Sequence, residues 1–297
     1  MSRAASPSTE KRYGVARVLR VWERVRSSFY YQRGVAGHPQ RVLQRRGPKT
    51  KYRDAELTEK IRAVITASPF YGEGHRKIWA RLRFQEVRTS KARVLRLMRV
   101  AQLLGPSRTL PRPENPHTGT IVTEQPNQMW AADHTVTVTV EEGQVAVFVA
   151  VDHCTTECLG IHAAKRATRF EALEPIRQGV REYCGGFREN AAAGIQCRHD
   201  WGSQYMSEDY QAEIRFLGMS SSPAFVRQPE GNGCVERFIR TLKEQLLWVR
   251  TFRNVEELRR ALTEFRERYN RHWIVQRLGY LTPQQARQQL LALGAAA

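Results

Sequence analysis

Three acids at predicted element boundaries carry the most chemistry in this sequence. Asp133 sits in "QMWAADHTVTV", a stretch rich in β-branched residues that reads as a strand. Asp200 ends the short apolar run "GIQCRHD", and Glu236 lies near the start of a long helical pattern, with 35 residues between the two. Two strand positions and a helix start could converge on one edge of a sheet. Three carboxylates in one place repel one another unless a cation joins them. Hard oxygen donors suit Mg²⁺ or Mn²⁺, which keep waters and bind phosphate oxygens. Two such ions could activate a water or a 3′-hydroxyl and stabilise a leaving oxygen. Taken singly, each acid also has a plain reading as strand-end residue, turn former or solvated helix residue. Asp152 competes with Asp133, because it too follows an apolar strand, and it ranks as structural or peripheral.

Arg240 and Lys243 follow Glu236 by four and seven residues, which puts all three on one helical face. Cations beside a metal carboxylate are placed to hold DNA phosphates, and the alternative is an ordinary solvated face. The connector "QPEGNG" before that helix reads as flexible, and its Gln228 and Asn232 are candidates for contact with DNA ends. Trp130 and Trp248 read as core residues rather than base-stacking ones.

The elements that must position these residues come from pattern. After residue 127 the spacing gives "QVAVFVAVDH" and "LGIHAA" as strands two and three. A helix is predicted over Phe170 to Tyr183, then the short strand that ends at Asp200. "SEDYQAEIRFLG" follows as a helix capped by Ser207, and "MSSSPAF" as a short strand and turn. Helices from Gly233 to about Val249 and from Val255 to about Tyr269 close the pattern. Three consecutive strands followed by alternating helix and strand predict an α/β fold, a mixed five-stranded sheet flanked by helices.

The front of the chain is a different material. Residues 1–120 hold 27 Lys and Arg against 8 Asp and Glu, whereas residues 121–297 hold 21 of each. The whole excess of +19 therefore lies in the front, which points to a polyanion partner, nucleic acid first. Residues 11–33 read as two short helices about a turn at Val25 to Ser28. Residues 55–105 read as helices broken at Gly72 and Gly74 and restarted by a Ser90 cap, with Val94, Leu97 and Met98 on the apolar face of the last. Lys91, Arg93, Arg96 and Arg99 lie off that face, and Arg76 and Lys77 precede it on the neighbouring helix. This is the plan of a helix-turn-helix, whose second helix can enter a major groove; an ordinary helical hairpin with a solvated basic face is the alternative.

The predicted organisation is a basic helical region and linker at 1–52, a helix-turn-helix-like DNA-binding domain at 53–105, and a Pro-rich linker at 106–127. A catalytic core at 128–275 and a tail at 276–297 complete it. No apolar run approaches a membrane span, and the front lacks a signal-peptide core, so a soluble cytoplasmic protein is expected. The five cysteines are odd in number and scattered, which argues against a disulfide framework. Cys154 and Cys158 could begin a zinc site, but no second close pair completes one.

At these residues the sequence resembles a family. "NQMWAADHT", "CRHDWGSQYMS" and "SPAFVRQPEGNGCVERFIRTLKEQL" resemble the three catalytic blocks of the Asp-Asp-Glu transposases and retroviral-type integrases. The nearest likeness is to the second-reading-frame product of the insertion-sequence-three group. "RSSFYY", "YGEGHRKIWARL", "SKARVLRLMR" and "YNRHWIVQRLGYLTPQQAR" extend it over nearly the whole chain. The resemblance implies an RNase H-like core and a bacterial enzyme that cleaves and joins DNA strands with Mg²⁺ or Mn²⁺. It makes Asp133, Asp200 and Glu236 the metal-binding triad, with two ions expected, and it matches Lys243 to a recurring lysine of the third block. It further implies binding to terminal inverted repeats of double-stranded DNA, a homo-oligomer on paired ends, and a first-frame protein as a possible partner. His134 and Trp201 depart from the family's usual residues without removing a ligand, and the integrase His/Cys zinc motif is absent from the first 150 residues, which hold no Cys. A non-catalytic DNA-binding relative and a nuclease that cuts without joining are the rival readings.

Overall fold

The computed structural model describes residues 4–37, 51–105, 121–224 and 232–295. It divides into two compact units, Met1–Lys51 and Tyr52–Ala297.

The first unit holds α1 (Val15–Val21) and α2 (Arg26–Gly37). The break between them falls at residues 22–25, so Arg26, Ser27 and Ser28 already belong to the second helix rather than to the predicted turn. Leu19 is buried, whereas Val21, Trp22, Val25, Tyr30 and Tyr31 are exposed.

The second unit opens with three helices, α3 (Asp54–Ala67), α4 (His75–Phe84) and α5 (Lys91–Val100). Leu57, Ile61, Val64, Ile78, Leu82, Val94, Leu97 and Met98 close on one another to form their core. The Ser90 hydroxyl accepts the Arg93 amide and starts α5, the capping that its position predicts.

The sheet has strands β1 (Met129–Thr139), β2 (Gly143–Asp152), β3 (Cys158–Ala164), β4 (Gln196–His199) and β5 (Ser220–Pro223), in the spatial order β3-β2-β1-β4-β5. The first three form an antiparallel meander, and β4 and β5 run parallel to β1. Helices α6 (Arg169–Tyr183), α7 (Ser203–Met206) and α8 (Glu208–Phe216) bury Trp130, Ala132, Ala146, Phe148 and Ala150 on one face. Helices α9 (Gly233–Leu242) and α10 (Val255–His272) bury Ala131, Val145, Val147, Val149 and Val151 on the other. The period of two along each strand thus feeds two cores at once. Gly160 permits the closest approach: a Cβ there would stand 2.1 Å from the Pro175 carbonyl oxygen of α6. Among the described residues the fold is the mixed five-stranded, helix-flanked sheet that the pattern predicts.

The basic helices rest on this core. Phe70 joins the cluster beneath α9 and α10. Gln245 and the backbone of Tyr71 exchange two hydrogen bonds of 2.9 Å. Residues 276–297, expected as a tail, carry a 3-10 turn at Gln276–Leu278 and helix α11 (Pro283–Ala295). No helix among the described residues is long and apolar enough to cross a membrane.

Candidate active site

The register of the sheet brings two of the acids together. Strand β1 pairs with β4 as Met129 with Gln196, Trp130 with Cys197 and Ala131 with Arg198. Asp133 and Asp200 each lie two residues beyond the last of these pairs, near enough for the Asp200 charge to act on the Asp133 carboxyl. Glu236 arrives from the first turn of α9, which packs on the sheet face that carries Ala131. Asp133 and Glu236 line one open cleft of about 520 Å³ together with Arg240, Lys243, Glu244 and Trp248.

The electrostatics follow from that geometry. Burial pushes the Asp133 carboxyl up to about 7, and the nearby charges of Asp200 and Glu236 push the same way. The His134 amide, donating to Asp133 Oδ1 at 2.7 Å, and the Lys243 ammonium pull against them. The Asp200 carboxylate accepts the Gly202 amide at 2.8 Å, a short turn that holds its Oδ1 at the strand end. A Cβ on Gly202 would stand 2.8 Å from that oxygen, so the Gly after Trp201 leaves the carboxylate room.

Histidines support the strand ends from behind. His199 is buried, bonded through Nδ1 to the Asp200 carbonyl at 2.7 Å and through Nε2 to the Ser221 hydroxyl at 2.9 Å. Burial holds its pKa below the ordinary histidine value. His134 stacks on Phe148, with ring centroids 5.4 Å apart, and its Nδ1 lies 3.1 Å from the Gln204 amide nitrogen. The packing pattern of the sequence carries no signal for the Gln204–His134 pair, which joins residues 70 apart in the chain.

Among the described residues no group of three or more His, Cys, Asp or Glu side chains is drawn tightly enough to hold a metal ion. The donor set is nonetheless all hard oxygen, and the Asp133 carboxyl is destabilised by the carboxylates that a shared cation would neutralise. The residue types therefore fit Mg²⁺ or Mn²⁺, and joining all three on shared cations requires side-chain movement.

The sequence-predicted cations divide. Lys243 faces the cleft, and Arg240 is exposed beside it, donating to Glu244 at 3.0 Å. On the front helices Lys91, Arg96 and Arg99 are exposed. Arg93 and Arg96 both donate to the Asp54 carboxylate at 2.7 Å, and Arg93 also caps the Tyr52 carbonyl. Arg76 is exposed and reaches Gln276 at 3.2 Å. Lys91 lies over the Trp79 ring at 4.4 Å. Lys77 is turned inward: its ammonium lies 2.9 Å from the centre of the Trp273 ring and 3.8 Å from Glu73. Burial lowers its pKa to about 7, so its charge belongs to the seam between α4 and the core rather than to an outer face.

Two further expectations change. Asn232 is buried and donates to the Ala132 carbonyl at 3.3 Å, which makes it a brace between α9 and β1. Trp130 is fully buried as expected, but Trp248 is 60% exposed and belongs to the cleft rather than the core. Gln228 lies outside the described residues.

Residues 51–109 match the family described as HTH-like domain, and residues 217–283 the one described as Integrase core domain. The latter match takes in Glu236, Arg240 and Lys243 but stops short of Asp133 and Asp200. Two curated relatives of Escherichia coli (strain K12), Transposase InsD for insertion element IS2D and Transposase InsD for insertion element IS2H, are 27% identical over 238 residues, covering 78% of this chain and 78% of each relative. Among solved structures, the catalytic core domain of BIV integrase aligns with 57% of this chain and 99% of its own at 17% identity, with a TM-score of 0.43. The chain thus matches an HTH-like domain ahead of an integrase core domain and is similar, over most of its length, to insertion-element transposases.

Proposed function

We propose that this chain is a DNA transposase that cleaves the 3′ ends of an insertion sequence and joins them to target DNA. One observation carries the reading: Asp133 and Asp200 each lie two residues beyond the last β1–β4 pair, while Glu236 and Lys243 share a cleft with Asp133. Asp133, Asp200 and Glu236 hold Mg²⁺ or Mn²⁺, two ions per site. Cations bound there lower the pKa of a water or a 3′-hydroxyl and offset charge on the leaving oxygen. Lys243 and Arg240 hold the phosphates on either side of the reacting one. Hydrolysis leaves a 3′-hydroxyl at the element end, and that hydroxyl then displaces the 3′-oxygen of a target phosphodiester. No covalent protein intermediate forms.

The helices of residues 53–105 read the terminal inverted repeats, with exposed Lys91, Arg96 and Arg99 contributing phosphate contacts. Residues 128–275 form the catalytic core. The protein works as a homo-oligomer on paired DNA ends in the bacterial cytoplasm, and a first-frame protein is its further partner.

Glu236→Gln and Asp200→Asn should each abolish Mg²⁺-dependent cleavage of element-end DNA while electrophoretic mobility shifts show binding little changed. Cleavage retained by either variant removes that residue from the metal site and overturns the reading for it.

A further inference from the structure

The sequence holds six tryptophans, and Trp248 is the one lining the cleft of Asp133, Glu236 and Lys243. Its position there has a backbone cause. After Leu242 the helix of Glu236 widens into a π turn at Lys243–Leu247. Twelve residues along an uninterrupted α-helix would set Trp248 about 120° around the axis from Glu236. A wide turn absorbs about one residue of rotation, about 100°, and returns the indole to the side of Glu236, Arg240 and Lys243. The turn is pinned from inside. Leu246 and Leu247 are buried, and the Gln245 amide exchanges two hydrogen bonds with the Tyr71 backbone. A π turn is rare and recurs at functional sites. Here it directs a large apolar ring, 60% exposed, into the cleft that also holds Asp133, Glu236, Arg240 and Lys243.

An exposed flat ring beside cations is the combination that holds unpaired nucleotides, since every base has a π face and every linkage a phosphate. We propose that Trp248 is a stacking platform for a nucleobase of the DNA strand entering the acid cleft, a base that has left its duplex. The assignment rests on the transposase reading for the identity of the polymer. Lys243 and Arg240 take the phosphates, and the indole takes the neighbouring base without regard to sequence. Trp248 is a positioning residue: it fixes the slide of the strand relative to Asp133 and Glu236.

The test uses the full chain in EDTA, so that no cleavage is needed. Two labelled strands are compared by fluorescence anisotropy: a thymidine oligonucleotide of about 15 nucleotides, within the range of single-strand sites, and an abasic strand of the same length. Trp248→Leu keeps apolar bulk and loses the flat ring, while Trp248→Phe keeps a ring. Trp248→Leu should weaken thymidine binding about 5- to 150-fold and leave abasic binding within about twofold. Trp248→Phe should retain most of the thymidine preference. Equal losses on both strands, no loss on either, or Leu behaving like Phe would overturn the proposal. Glu236→Gln should keep the thymidine preference, so a failure of the metal reading and a failure of stacking give different results.

Discussion

Two groups of acids meet different fates in this protein. In one, burial and then the charges of Asp200 and Glu236 raise the Asp133 carboxyl, with Lys243 as the opposing cation. In the other, Asp152 closes β2 and is fully buried, yet its carboxylate accepts the Asn127 amide, the Thr155 amide and the Thr155 hydroxyl, each at 2.8 Å. Arg287 of α11 then pairs with both Asp152 and the buried Glu157, donates to Asn127 at 3.0 Å and lies over the Tyr183 ring. The second group is paired by its own chain, although burial still raises the Glu157 carboxyl; in the first, burial and like charge together hold the Asp133 carboxyl up to about 7. Residue type does not distinguish a structural acid from a candidate ligand here. The supply of donors and cations does.

Removing the internal cation should give the largest effect on stability. Arg287→Met leaves two buried carboxylates without their partner, a loss of about 3–5 kcal/mol by analogy with other broken buried pairs. Urea unfolding should show it as a lower midpoint at nearly unchanged slope. Asp133→Asn, in the first group, removes a buried and repelled charge and should leave stability equal or higher at pH 8. If Arg287→Met is harmless, or Asp133→Asn costs as much, the contrast between the groups fails.

This contrast was only half legible in the sequence. The strands and the caps at Ser90 and Ser207 follow from alternation and short-range hydrogen bonding, and both hydroxyls accept the amide three residues on. Asp152 could be ranked below Asp133 but not explained, because its partner Arg287 lies in a segment whose pattern gave no helix. Lys77 looked like one more cation of a basic face. Its inward turn depends on Trp273, nearly two hundred residues away. Trp248 looked like core because a one-residue change in helical phase has no signature in composition. Local chemistry wrote the elements; contacts between distant segments decided which charged side chains are spent.

The pH dependence sharpens the same contrast. Folding moves the Asp133 carboxyl up from an ordinary 3.8 to about 7, so the folded state binds its proton more tightly than the unfolded chain. Its contribution favours folding at low pH and is lost as pH rises from about 4 to about 7, the opposite of a paired carboxylate. With EDTA present, stability of Asp133→Asn relative to the parent should therefore rise across that window. Urea midpoints at several pH values check this, and a flat difference would mean that Asp133 is solvated rather than repelled. Saturating Mg²⁺ should reverse the trend in the parent chain, since binding favours the ionised carboxyl and stabilises the folded state.

The smallest effect should come from a third acid, Asp54, which meets Arg93 and Arg96 at the surface. These two guanidiniums hold its carboxyl below the usual range, yet Asp54 and Arg96 are about half exposed, so solvent screens the pair and its worth to stability is slight. Its consequence is for DNA instead. A cation already matched by a carboxylate releases fewer counterions when it meets a phosphate. Arg99→Ala should lower the slope of log affinity against log salt by about 0.9, the value of one phosphate contact on duplex DNA. Arg93→Ala should change it by much less, because the Arg93 charge is largely spent on Asp54 and the Tyr52 carbonyl. Equal changes in the two slopes would mean that DNA pulls Arg93 from Asp54. The internal pairing would then be a resting arrangement, and a self-neutralised acid in this protein could no longer be set aside as purely structural.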